Sequence, residues 1–197
     1  MREVELKAMV PDAAALQAAV EGAGAVRTFA GQLSDWRYDT SDGTLFEQDV
    51  VLRLRTYTDA TGARAALDWK GPTGYADGFK VREEISTGAD APAALATMFE
   101  RLGYVVVREI DRDIAQYTLH GATVRIEWYP RMDVLVEIEG EPAAIEAAIA
   151  VTGLPRAAFT AERLPDFVAR YEARTGARAA ICRRELHGDY RFSALNA

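Results

Sequence analysis

Cysteine and histidine are nearly absent from this chain. The single cysteine, Cys182, excludes an internal disulfide framework. The two histidines, His120 and His187, lie outside every segment that reads as a strand, so a zinc site built on imidazole is not expected. No apolar run approaches the roughly 20 residues that span a bilayer. The opening "MREVELK" lacks the apolar core of a signal peptide, so the expected location is the cytoplasm, with no membrane partner. Positive charge is in deficit as well. A net charge of −7 does not describe a surface that coats a nucleic-acid duplex. It leaves room for a local basic cavity that holds a small polyanion. No low-complexity stretch interrupts the 197 residues. That length predicts one domain over residues 1–175 and a C-terminal extension over 176–197.

What is plentiful is alternation. "EVELKAMV" changes between apolar and charged residues with period two and predicts a strand. "DWRYDT", "DVVLRLRTYT", "ARAALDWKG", "FKVREEIST", "YVVVREIDRDIAQYTL", "TVRIEWY" and "MDVLVEIEG" predict seven more, with "TDATG" as a hairpin turn and "GPTGYADG" as a loop. Four helices fall between or after them. "PDAAALQAAVEGAG" is capped by Asp12 and "DAPAALATMFERLG" by Asp90 with Pro92 in its first turn. "EPAAIEAAIAVTG" is the third, and "TAERLPDFVARYEARTG" the fourth, capped by Thr160 with a local kink at Pro165. The basic tail "RTGARAAICRRELHGDYR" reads as a solvated extension.

The alternation sorts each strand into two faces. Glu3, Glu5 and Lys7 oppose Val4 and Leu6; Arg53 and Arg55 oppose Leu52 and Leu54; Asp68 and Lys70 oppose Leu67 and Trp69. Lys80, Arg82 and Glu84 oppose Val81 and Ile85, and Arg108 shares a face with Arg112. Arg125 and Glu127 oppose Ile126, and Glu137 and Glu139 oppose Ile138. An ordinary antiparallel sheet also has an apolar side and a wet side. Here, however, the charged faces lack the Ser, Thr, Asn and Gln of a solvated sheet, and the helices need an apolar surface to pack on. Hairpin spacing implies antiparallel pairing, and eight strands suffice to close a barrel around a small ligand. The expected fold is therefore α+β: an eight-stranded antiparallel closed β-barrel, a tunnel, with helices packed on the outside and the charged faces lining the lumen.

Such a lumen selects its contents, because an unpaired buried charge costs several kcal/mol. Arginine forks match phosphate oxygens bidentately. The i, i+2 carboxylate pairs Glu3/Glu5 and Glu137/Glu139 suit hard cations with oxygen ligands, Mg²⁺ or Mn²⁺.

These residues resemble a known family. "EVELK" is similar to the E-x-E-x-K signature of the CYTH superfamily, the triphosphate tunnel metalloenzymes. The segments "DWRYDT", "LRLR", "LDWKGP", "KVREEI", an Arg-bearing strand and "VEIE" follow in that family's order, over Arg2 to about Tyr171. The resemblance implies a divalent-metal-dependent triphosphatase acting on inorganic triphosphate, thiamine triphosphate or nucleoside triphosphates. Its partner is then a small-molecule triphosphate or polyphosphate, and a homodimer stays open. Carried over by motif, Glu3, Glu5, Glu137 and Glu139 would hold the metal, with Glu84 on the tunnel floor. Lys7, Arg53, Arg55, Lys70 and Arg112 would grip phosphates, and alternation adds Arg82 and Arg125. Lys70, Arg112 and Glu127 would serve the reaction itself, Glu127 standing where the family commonly has Asp. Ile110 occupies the position of a lysine that helps activate water in bacterial triphosphatases of the family. Class IV adenylyl cyclases share the tunnel, so cyclisation of ATP is an alternative. A polyphosphate-binding module without turnover is another.

Overall fold

The computed structural model describes residues 2–188. Nine strands follow one another as β1 (Arg2–Met9), β2 (Val26–Thr40), β3 (Val51–Asp59), β4 (Gly62–Lys70), β5 (Gly74–Ala76), β6 (Phe79–Gly88), β7 (Tyr104–Leu119), β8 (Ala122–Trp128) and β9 (Leu135–Glu139). All pair antiparallel in the order β1-β9-β8-β7-β2-β3-β4-β6, and β1 pairs with β6 to close the cylinder. Eight strands thus form a closed barrel. The extra strand, β5, lies against β6 past the end of β4. Outside the barrel are α1 (Ala13–Gly22), α2 (Thr44–Glu47), α3 (Pro92–Arg101), α4 (Pro142–Val151), α5 (Leu164–Thr175) and α6 (Arg183–Leu186).

The apolar strand faces point outward and meet the helices. Val4, Leu6 and Ala8 of β1, Val124 and Ile126 of β8, and Val136 and Ile138 of β9 form one core with α1 and α4. Leu6, Ile138 and Ile145 are almost fully buried there, and each such side chain contributes about 1.5–3 kcal/mol. A second core places Phe99 and Leu95 of α3 over Tyr38, Leu54 and Val106.

Several local expectations are corrected. β5 falls in the segment expected to be a loop. Asp77 and Gly78 both adopt positive φ (52° and 82°) between β5 and β6, the two-residue turn that matches strand twist. "DWRYDT" is the end of a 15-residue strand. Gly31 permits that length, because a Cβ there would lie 2.3 Å from the Thr58 carbonyl oxygen of β3. Asp12 caps α1 by accepting from the Ala15 N–H at 2.9 Å. Asp90 does not cap α3, whose N-cap is Ala91. Thr160 does not cap α5 either. It pairs with Lys7 through two backbone hydrogen bonds of 2.9 and 2.8 Å, and the helix starts later, with Pro165 harmless in its first turn. The tail is not wholly solvated. Ala179–Cys182 is buried, Ala180 bridges Arg131, and the Asp111 N–H donates to the Ile181 carbonyl at 2.8 Å. Residues 189–197 of the expected extension lie outside the described residues.

A bulge sets what faces the lumen. Arg37 pairs with Arg108, but Tyr38 pairs with Val106, so Val107 is left over. Inserting one residue turns the strand over. Tyr104 and Val106 accordingly pack outward near α3, whereas Ile110 and Arg112 line the interior.

Candidate active site

The lumen is a cavity of about 980 Å³. Glu5, Arg55 and Glu139, from three different strands, share it. One end is filled by apolar side chains. Leu33, Tyr57 and Ile114 continue the inward positions of β2, β3 and β7 one step beyond Asp35, Arg55 and Arg112, and they cluster with Phe29. The Arg64 guanidinium stacks on the Tyr57 ring at 3.8 Å. The rim of the cavity carries Phe46 and Tyr75, both well exposed.

Next to the apolar end, Asp35 is 1% exposed at the centre of three guanidiniums. Its oxygens accept from Arg55 at 2.6 and 2.9 Å and from Arg112 at 3.1 Å, and Arg53 lies 3.7 Å away. Arg112 also donates to Glu127 at 2.9 Å, and the Tyr129 hydroxyl donates to the other Glu127 oxygen at 2.7 Å. Both Glu127 oxygens are therefore occupied. Arg53 donates to Asp68 at 2.7 Å, and Ser86 holds the second Asp68 oxygen.

The acids divide into two groups. Glu3, Glu84 and Glu139 each present a carboxylate oxygen within 4.8 Å of the others. Glu5 and Glu137 instead flank Lys7, each 2.6 Å from its ammonium. Lys80 also donates to Glu5 at 2.6 Å, and Arg125 donates to Glu137 at 2.7 Å. Lys70 belongs to the first group, donating to Glu3 and lying 3.3 Å from Glu84. Arg82 is turned to main-chain carbonyls, Gly71 at 2.6 Å and Asp49 at 2.5 Å, where it ties down the loop after β4.

Electrostatics separate the two groups further. Burial, with Glu137 and Glu3 nearby, pushes Glu139 up to about 7. Burial also opposes ionisation of Glu5, but Lys7, Lys80 and Lys70 together outweigh it and lower Glu5 to about 2. Burial works against Asp35 as well, and Arg55, Arg112 and Arg53 still hold it well below 3.8. The Glu3 oxygen not used by Lys70 is buried without a hydrogen-bond partner. An orphaned oxygen, a carboxyl that resists ionisation and three converging oxygen donors are what a hard divalent cation relieves. The donor set fits Mg²⁺ or Mn²⁺.

Ile110 is 1% exposed and lines the cavity between the Arg108 and Arg112 positions, so the wall there is apolar and carries no titratable group. Asp35, Asp68, Tyr129 and Arg37 are among the lumen residues that the sequence does not single out as site residues. Alternation already placed Asp68 beside Lys70. Asp35 and Arg37 alternate with Trp36 and Tyr38, a period-two signal hidden among aromatics. Tyr129 follows β8 and carries no periodic mark.

A family model of the CYTH domain matches residues 1–152. No curated protein matches the chain. Solved structures do. A Vibrio parahaemolyticus protein provisionally named an adenylate cyclase superposes with a TM-score of 0.72 at 22% identity, covering 85% of this chain and 97% of that one. The Pyrococcus horikoshii protein PH1819 superposes at 0.70 with 20% identity, covering 85% and 98%. The Hippeastrum protein HpAC1, provisionally an adenylyl cyclase and described with a dominant triphosphatase activity, superposes at 0.57 with 18% identity, covering 79% and 93%. Likeness at these identities concerns the fold.

Proposed function

The chain belongs to the CYTH domain family, and from that premise we propose that it is a divalent-metal-dependent triphosphatase acting on inorganic or organic triphosphates inside the tunnel. The observation that carries this reading is the meeting of the Glu3, Glu84 and Glu139 oxygens within 4.8 Å of one another, beside a wall of lysines and arginines in one closed lumen.

Glu3, Glu84 and Glu139 would hold Mg²⁺ or Mn²⁺, with Glu5 and Glu137 behind them; when bound, the cation neutralises phosphate charge and lowers the pKa of coordinated water. The chain's own groups supply position and charge, which is most of what phosphoryl transfer asks of a protein. Lys7, Arg53, Arg55, Lys70, Arg112 and Arg125 grip phosphate oxygens. Lys70, which donates to Glu3 and lies 3.3 Å from Glu84, would be free to face phosphate if those carboxylates held a cation. Glu127 acts as a positioning residue: with one oxygen accepting from Arg112 and the other from the Tyr129 hydroxyl, it fixes the Arg112 fork. Arg82 shapes the mouth through the carbonyls it binds. Lysines and arginines along the lumen would supply positive charge where it develops on the leaving phosphates.

Incubation with ATP, tripolyphosphate and thiamine triphosphate in Mn²⁺ or Mg²⁺, with products separated by ion exchange, tests the reading. Inorganic phosphate with a diphosphate product supports hydrolysis. Cyclic AMP with pyrophosphate would mean a cyclase, and tight binding with no product would mean a carrier.

A further inference from the structure

The lumen cations are nearly all matched. Lys7 and Lys80 are held by Glu5, Lys70 by Glu3, Arg53 by Asp68, Arg55 by Asp35, Arg112 by Glu127 and Arg125 by Glu137. Arg64 stacks on Tyr57 and Arg163 reaches Asp49. Arg37 differs. It lines the cavity on β2, one inward step from Asp35 toward the rim residues Asp39 and Phe46. Its Nε, like Arg112 Nη1, is shut off from solvent with no hydrogen-bond partner, but unlike Arg112 it makes no ion pair with any described residue. Its cross-strand neighbours are themselves arginines: Arg53 on β3 and Arg108 on β7. Burial, with Arg53 beside it, pushes its ionisation downward from the usual arginine range.

A buried donor left unmade is costly, so each such group in a native protein asks for a reason. An anion supplied from outside would give Arg37 the partner that the chain withholds. The neighbouring Arg53 reaches toward Glu84, with Nη2 3.5 Å from its carboxylate. An anion at Arg37 would therefore lie along the wall that leads to the acidic trio.

We propose that Arg37 is the tunnel's open phosphate seat, the residue that takes a phosphoryl group before any resident ion pair has to part. Each paired cation has to part from a resident carboxylate before it can turn fully to phosphate, as Lys70 would from Glu3 and Arg55 from Asp35. Arg37 needs no such exchange, so it carries phosphate binding when metal is absent. The proposal rests on the triphosphatase reading only for the identity of the anion.

Titration calorimetry of tripolyphosphate in EDTA tests it, on the wild type and on Arg37→Gln, Arg37→Lys and Lys80→Gln. The expected result is a loss of about tenfold or more in affinity for Arg37→Gln, the scale of one charge-assisted hydrogen bond. Arg37→Lys recovers part of it. Lys80→Gln, which removes the same charge from a cation already held by Glu5, costs less. The thermal midpoint of ligand-free Arg37→Gln stays level or rises, because a half-buried, unmatched charge has gone. Equal losses at Arg37 and Lys80, no metal-free binding by the wild type, or a lowered midpoint with binding intact would each overturn the proposal. The two readings fail separately. Wild-type binding through Arg37 without phosphate release removes the hydrolase and leaves the seat. Phosphate release with an unchanged KM and unchanged affinity in Arg37→Gln removes the seat alone.

Discussion

Asp35→Asn is the sharpest perturbation of the tunnel's architecture. The carboxylate is 1% exposed. It accepts from Arg55 at 2.6 and 2.9 Å and from Arg112 at 3.1 Å. Asparagine keeps the shape, loses the charge and turns an NH₂ donor toward a guanidinium. Removing one partner of a buried ion pair costs about 3–5 kcal/mol. Three guanidiniums share this carboxylate, so the upper end applies. At about 2–4 °C per kcal/mol for a chain of this length, the thermal midpoint falls by roughly 10–20 °C. Thermal unfolding followed by circular dichroism at neutral pH reads it directly. The pH dependence has a fixed sign. Asp35 titrates well below 3.8 in the folded state, so its stabilisation is complete above that value and fades as pH drops further. The deficit of the variant therefore shrinks in acid. Tripolyphosphate adds a second arm. A ligand that binds only the folded state at 100-fold excess over its Kd stabilises by about 2.7 kcal/mol. It also returns negative charge to the orphaned arginines, so the variant gains more from it than the wild type. A midpoint within about 3 °C of wild type would refute the reasoning, since it would mean less than about 1.5 kcal/mol rests on the cluster.

Two further predictions concern the metal and the rim. Glu139 is raised to about 7 from 4.5, so between those values the folded protein holds an extra proton there, and stability declines as pH rises through the interval. A cation has to displace that proton, so calorimetric Mn²⁺ affinity climbs with pH up to about 7 and then levels off; affinity that is flat below 7 counts against Glu139 as a ligand. Phe46 and Tyr75 stand exposed at the rim, where they can stack on the organic part of a substrate at about 0.5–1.5 kcal/mol per ring. The double change Phe46→Ala with Tyr75→Ala raises KM for ATP several-fold and leaves KM for tripolyphosphate alone; equal effects on both would deny the rim a role in specificity.

Much of this was legible in the strands. The alternation of Glu3, Glu5 and Lys7 with Val4 and Leu6 put charge inside and helices outside, and the same logic held for Arg53, Arg55, Arg125 and Glu137. Three kinds of information were not. Which acids gather with which depends on register: Glu5 faces Glu139 and Lys7 faces Glu137 across β1 and β9, and that alignment gives Glu137 to Lys7 while Glu139 meets Glu3 and Glu84. Closure contributes too, since β1 reaches Glu84 only because β6 pairs back on it. Residues hidden in mixed segments were passed over. Asp35 in "SDWRYD" has aromatic neighbours that mask its period, and the start of β2 depends on Gly31, whose value lies in a contact with another strand. Helix starts were misplaced where a polar residue stood nearby, because Thr160 is taken by a backbone bridge to Lys7 and cannot also begin α5.

The most direct measurement of the central claim is phosphate release from tripolyphosphate in Mn²⁺, comparing the wild type with Glu3→Gln combined with Glu139→Gln. Wild type should release phosphate, should stop in EDTA, and should exceed the variant by at least about 100-fold while both stay folded, the scale of losing metal-based charge stabilisation. Turnover in the variant equal to that of the wild type would contradict the assignment of these carboxylates to a metal, and with it the tunnel chemistry built on them.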